Sequence, residues 1–531
     1  MEPLLIAIGG RGLNLWIPCQ VLPNPAAIVY IQASMERAKT SWGSLQRREL
    51  LARYAGGLGG LALASLLARD GVLLGGEPGP ALDRLHIPRG ERRFDLTPRP
   101  SHFAPQAKAV ISLFQHGGPS HLDLFDPKPE LQKHTGEDYP GEITYSFVNR
   151  ASKKLLGSPF RFEPRGQCGT EISEVLPHTA SIVDDIALVR SMYTGINGHE
   201  PSIWSMQTGL ARPGRPSLGS WVTYALGCES SDLPAYVVLT DPGGLPVDGV
   251  RNWSQGWLPP VYQGTAVRPK EPRILNLDAP PELRGAAQRR ELELLGRLNR
   301  THAERLGGDA ALEARIASYE LAARMQLAAR EALDLGAEPE HIRKLYGLDS
   351  DATRSYGERC LLARRLVERG VRFVLILVNG QIWDNHENIR DNLRSCCART
   401  DQPSAALVKD LKQRGLLDST LVLWGGEIGR LPVVENHGAP EKAGRDHNGQ
   451  GFSVWLAGGG IQGGVAYGET DELGHKAAVD RVGPSDYHAT LLHLLGLDHE
   501  RVAYFHSGRA ERLTESRPCR VVREILKRPP V

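Results

Sequence analysis

The chain has 531 residues, of which 41% are hydrophobic and 23% charged, and its formal net charge is +2. That balance suits a globular core and excludes a protein built on a strong basic field for nucleic acid or an acidic one for a cationic partner. Seven cysteines form neither a CxxC pair nor an even framework, which argues against a zinc knuckle or a disulfide scaffold.

Residues 1–43 read as a non-native or unstructured extension, with Met35 a natural start. Residues 44–70 read as a twin-arginine-type export signal: Arg47 and Arg48 precede a Gly-, Ala- and Leu-rich run from Ala52 to Ala68. The run is too short and glycine-rich for a membrane span. The expected location is therefore periplasmic or extracellular, with no stable span once the signal is removed. Residues 71–106, rich in Pro and Arg, read as a linker onto a domain of residues 107–527.

Within that domain, apolar β-branched runs alternate with helical stretches, which predicts an α/β fold with a mainly parallel sheet sandwiched by helices. The predicted strands are Ala109–Phe114, Ile186–Ser191, Tyr236–Thr240, Arg372–Val378, Thr420–Trp424 and Ser453–Ala457. Residues 241–275 read as a long structured loop, and residues 281–370 as two or three long helices forming a cap or insertion packed beside the sheet. Leu292, Leu294, Leu295 and Leu298 show the helical spacing. Cys396 and Cys397 read either as a redox pair or as small helix residues.

Open α/β sheets bind ligands outside the carboxyl ends of their strands. At that edge lie His116 and Asp123 after the first run, His199 after the second, and Asp384 and His386 after the fourth. Glu427 and Arg430 follow the fifth, while Arg445, Asp446 and His447 precede the last. Imidazole and carboxylate beside glycine suit a divalent metal such as zinc, calcium or manganese. Arg430 and Arg445 either pair with neighbouring acids or grip an anionic sulfate or phosphate. Trp383 and Trp424 read as packing residues.

The motifs HGGPSHLDLFDP, HEPSIWSMQTG, WDNH, TLVLWGGEIGR, GRDHNGQGFSVWLAGGGIQGG, YGETDELG and DYHATLLHLLGLDHER closely resemble the domain-of-unknown-function-1501 family. That family is assigned to exported bacterial proteins of the alkaline phosphatase and sulfatase superfamily. The resemblance implies an alkaline-phosphatase-like sheet and places residues motif by motif. His116 stands where relatives carry a metal-binding aspartate, and Asp384, His386 and His447 stand at metal ligands. Glu427 replaces an aspartate, Ile428 replaces a metal-binding histidine, and His488 falls on a late helix near the site. His199 occupies the place of the covalent nucleophile, normally Ser, Thr or a modified Cys.

The resemblance thus implies an exported metal-dependent hydrolase of sulfate or phosphate esters, with His199 catalytic. Its metal would be held by His116, Asp384, His386, Glu427 and His447, and its substrate would be a sulfated or phosphorylated polysaccharide. Because histidine replaces the hydroxyl nucleophile, the alternative is a catalytically altered member that binds anionic glycans or a protein partner.

Overall fold

The protein is represented by a computed structural model that describes residues 95–146, 152–274, 277, 285–305, 310–435, 442–515 and 518–527. The extension, the export signal and the first part of the linker lie outside the described residues.

Eight strands make one sheet: β1 (Ala109–Phe114), β2 (Ile186–Met192), β3 (Tyr236–Leu239), β4 (Thr265–Val267), β5 (Phe373–Leu377), β6 (Thr420–Gly425), β7 (Phe452–Ala457) and β8 (Val465–Tyr467). Their order across the sheet is β8-β2-β7-β6-β1-β5-β3-β4. Neighbours pair in parallel except where β7 runs antiparallel to β2 and β6. The α/β, mainly parallel fold class expected from sequence is the one observed. All six expected strands are present to within one residue at each end. The short edge strands β4 and β8 went unseen because three residues carry no readable period.

The longer helices are α1 (His199–Thr208), α2 (Leu218–Leu226), α3 (Ala286–Arg305), α4 (Ala310–Leu333), α5 (Asp351–Glu368), α6 (Ile389–Gln413) and α7 (Pro484–Leu494). Alternation along β1 sends Ile111 and Leu113 into one apolar layer and Val110 and Phe114 into the other. The first layer packs under α5, α6 and the end of α4; the second packs under α1, α2 and α7. Both faces are covered, which is why these strands read as unbroken apolar runs.

The helical stretch departs from expectation in two ways. α5 belongs to the main core, with Tyr356, Cys360, Leu361 and Leu362 buried in it, rather than to a cap. On α3, Leu292, Leu294, Leu295 and Leu298 are 39–58% exposed instead of packed. Helical spacing shows which residues share a face, not whether anything covers it. Cys396 and Cys397 are buried free thiols on α6, and burial pushes both pKa values up, which leaves two inert packing residues. Trp383 and Trp424 are buried and meet edge to face.

A candidate metal centre at the sheet edge

Because β7 runs against its neighbours, its amino end lies at the edge where the other strands finish. Residues 445–448 therefore meet the turns that follow β1, β5 and β6 and the start of α1. The Asp384–His386 turn is wedged between two glycines. A Cβ on Gly444 would lie 2.0 Å from the carbonyl carbon and oxygen of His386, and one on Gly117 (φ +109°) would lie 2.7 Å from the Asp384 nitrogen. Gln381 and Asn388, both at positive φ, bracket the same turn. Such backbone strain persists only where the surroundings hold it.

The side chains converge on one carboxylate oxygen. Asp384 Oδ1 lies 2.9 Å from His386 Nε2, 3.0 Å from His447 Nε2 and 3.4 Å from His199 Nε2. His386 Nε2 and His447 Nε2 are themselves 3.0 Å apart. A tetrahedral ion with bonds of about 2.0–2.1 Å separates its ligands by roughly 3.3 Å, close to these spacings. Two overlapping groups thus have their ligand atoms together, His199–Asp384–His447 and His386–Asp446–His447.

Behind each imidazole, Nδ1 has an acceptor, a buried carboxylate for His199 and His386. His199 Nδ1 lies 2.7 Å from Glu427 Oε1, His386 Nδ1 bonds Glu435 Oε2, and His447 Nδ1 donates to the Asn197 carbonyl at 2.8 Å. A carbonyl only accepts, so in neutral His447 the other nitrogen is a bare lone pair, 3.0 Å from Asp384 Oδ1. Two acceptors at that distance call for positive charge between them. Metal-ligating histidines characteristically give their second N–H to a carboxylate or carbonyl in this way.

Electrostatics follow the geometry. Burial disfavours ionisation of Asp384, but hydrogen bonds from His199 and His386, with the charge of Arg430, prevail and hold it far below the carboxylate range. Burial pulls His199 down, yet its bonds to Asp384 and Glu427 prevail and raise it to about 9. Burial dominates at His447, whose pKa is lowered.

The other candidate residues fall elsewhere. Arg430 is fully buried: it donates to Asp384 Oδ1 at 2.5 Å and to the carbonyls of Gly117, Gly118, Trp383 and Arg445. Arg445, also fully buried, pairs with Asp123 at 2.8 Å. Neither guanidinium can grip a substrate, and Asp123 is consumed by its pair. Both arginines brace the loops from behind.

Glu427 accepts from His199 and from the Gly117 amide, so it orients an imidazole instead of joining the ligand groups. His116 is fully buried, feels the charges of Glu427 and His199, and lies outside both groups. Burial lowers its pKa to about 4, and neither ring nitrogen has a hydrogen-bond partner among the described residues. His488 is tied to the Met206 carbonyl on α1, which anchors that helix away from the cluster. Asp446 sits beside His386 and His447, accepting from the amides of Ser146 and His447.

Glu435 was missed. It is one carboxylate in the loop between two readable motifs, and only its place in the chain hinted at a role.

A protein-family model described as "Protein of unknown function (DUF1501)" matches residues 107–526. The chain belongs to this family. Among curated proteins, none matches it in sequence. Among solved structures, it is similar to the lipoteichoic acid synthase LtaP from Listeria monocytogenes, at 9% identity and TM-score 0.32, covering 76% of each chain. It is similar to the PsFucS1 sulfatase from Pseudoalteromonas sp., at 12% identity and TM-score 0.31, covering 74% of this chain and 68% of the other. It is also similar to the phosphonate monoester hydrolase SpPMH from Silicibacter pomeroyi, at 11% identity and TM-score 0.30, covering 74% and 73%. Likenesses so distant say nothing of the reaction this family member performs.

Proposed function

We propose that this protein is a metal-dependent hydrolase of sulfate or phosphate esters that acts outside the cytoplasm, with decorated polysaccharide as the expected carrier of the ester. One observation carries the reading: three imidazole Nε2 atoms gather on Asp384 Oδ1, each ring held from behind by an acceptor, a buried carboxylate in two cases.

Asp384, His386 and His447, with Asp446 alongside, would hold a divalent ion; His and carboxylate donors suit zinc first and manganese next. When bound, the ion supplies Lewis-acid polarisation of the ester oxygen. The chain's own residues do the rest. His199, the first residue of α1, is protonated at neutral pH and stands at the positive end of a helix, a setting that favours an anionic ester. Its proton lies toward Asp384 or Glu427 and is available to a departing alkoxide. Glu427 fixes the ring's direction, and Arg430 fixes the carboxylate that faces it.

A second reading rests on the hydroxyls. Ser120 bonds Asp123 and Ser202 bonds the Ile196 carbonyl, so both nearby serines are already engaged. A member without a covalent nucleophile could serve as a binder of anionic glycans. Metal analysis and a panel of aryl sulfate and phosphate esters separate the two. Stoichiometric ion with turnover lost in His199→Ala supports hydrolysis; stoichiometric ion with no turnover and retained glycan binding supports the second reading.

A further inference from the structure

Gln115 follows β1 directly and is fully buried. Its backbone is clasped to the end of β6. The Gln115 amide donates to the Gly425 carbonyl at 2.9 Å, and a Cβ on Gly426 would lie 2.6 Å from the Gln115 carbonyl oxygen. Its side chain reaches the turn after β5. There Oε1 accepts the Trp383 indole N–H at 3.0 Å, while Nε2 donates to the Leu113 carbonyl at 3.2 Å and to the Tyr356 hydroxyl on α5 at 2.9 Å.

The direction of this amide is fixed. An indole nitrogen only donates and a backbone carbonyl only accepts, so a flipped Gln115 would set donor against donor and acceptor against acceptor. The Tyr356 hydroxyl also meets Ser404 on α6, whose own proton goes to the Thr400 carbonyl at 2.7 Å. Tyr356 therefore accepts from Gln115 and donates to Ser404, and every donor in the line is used.

An apolar side chain of similar shape could fill this space with little loss of stability, because a buried hydrogen bond contributes only modestly once both partners are counted. What the amide adds is direction. Trp383 immediately precedes Asp384, and its carbonyl accepts from Arg430 at 3.1 Å and from the Asn385 amide at 3.0 Å. With its indole tied to Gln115, this residue is held at both ends.

We propose that Gln115 is a positioning residue for the ion: through the Trp383 indole it fixes the turn on which Asp384 and His386 stand. The inference rests on the metal-binding reading above. It places part of the ion affinity in a residue that touches no ligand, carried from the clasp between β1 and β6 to the turn after β5.

The test uses the full chain and zinc, with zinc affinity and urea midpoints as separate readouts. Gln115→Met keeps the length of the side chain but loses the acceptor; Trp383→Phe keeps an aromatic ring but loses the donor. Each should weaken zinc about tenfold, the lower end of the usual loss for groups that orient a ligand. The double variant should match the weaker single within about twofold, because both changes cut one bond. Tyr356→Phe breaks another bond of the same amide while the Leu113 carbonyl and the indole still orient it. It should lower the urea midpoint and leave zinc affinity unchanged.

A merely structural amide would make affinity follow stability, so equal zinc losses in Tyr356→Phe and Gln115→Met would overturn the positioning role. Unchanged affinity in Gln115→Met and Trp383→Phe, or losses that multiply in the double variant, would do the same and leave the metal reading standing. Should Gln115→Met fail to fold, Trp383→Phe against Tyr356→Phe carries the comparison alone. Absence of bound zinc in the unaltered chain would overturn both readings.

Discussion

Glu427 Oε1 stands 2.7 Å from His199 Nδ1 while also accepting the Gly117 amide at 3.0 Å, so one buried carboxylate joins the turn after β1 to the first residue of α1. Together with the hydrogen bond to Asp384, this bond outweighs burial and keeps a largely buried histidine charged at neutral pH. Glu427→Gln should bring the His199 pKa down from about 9 toward its ordinary 6.5, as read by NMR titration of the imidazole.

Asp384→Asn should abolish ion binding, as measured by metal analysis after dialysis. It should also lower stability by about 1–3 kcal/mol in urea melts, because the fully buried Arg430 loses its carboxylate partner. Retention of one equivalent of ion by this variant would sink the proposed ligand set.

Ion binding should compete with protons. His199 is raised to about 9, so at pH 7 the ion-free protein carries a positive charge beside the ligands, which repels the ion. Ion affinity should therefore climb from pH 7 to 9, and His199→Ala should flatten the climb. For the ion-free fold the sign is opposite: the stability this raised pKa contributes is complete below about 6.5 and is lost as pH rises through about 9.

At the acid end other histidines govern. Burial lowers His116, His475 and His488 to about 4 from 6.5, so they are neutral in the folded protein. Their contribution is complete above about 6.5 and is lost as pH falls through about 4. Urea midpoints should decline over that interval. His488→Gln, which can still donate to Met206, should reduce the decline by roughly 1–3 kcal/mol.

Gly444→Ala should damage the centre without touching a ligand. The added methyl meets the backbone of His386 at 2.0 Å, so the Asp384–His386 turn has to move. Loss of ion with a lowered melting temperature is expected. By contrast, Leu295→Gln on the exposed face of α3 should shift stability by no more than about 0.5 kcal/mol.

The sheet was legible because both of its faces are covered: β5 is apolar throughout, and β1 and β6 nearly so, and such short runs between loops leave little choice. The clustering of His199, Asp384, His386 and His447 was legible from their shared edge. Roles were harder to read. Whether Arg430 faces a substrate or a carbonyl depends on which way a guanidinium points after folding, and spacing along the chain does not record that. Glu427 looked like a ligand for the same reason, and Glu435 carried no motif at all.

β7 lies between β2 and β6, so among the described residues β2, the strand that leads into His199, reaches β6 and the strands beyond it only through a segment near residue 455. A chain emerging from the ribosome therefore has no complete cluster until most of its length has been made. Contacts spanning such sequence distances close slowly. The protein would reach chemical competence late and all at once, which limits premature capture of an ion by a half-built chain.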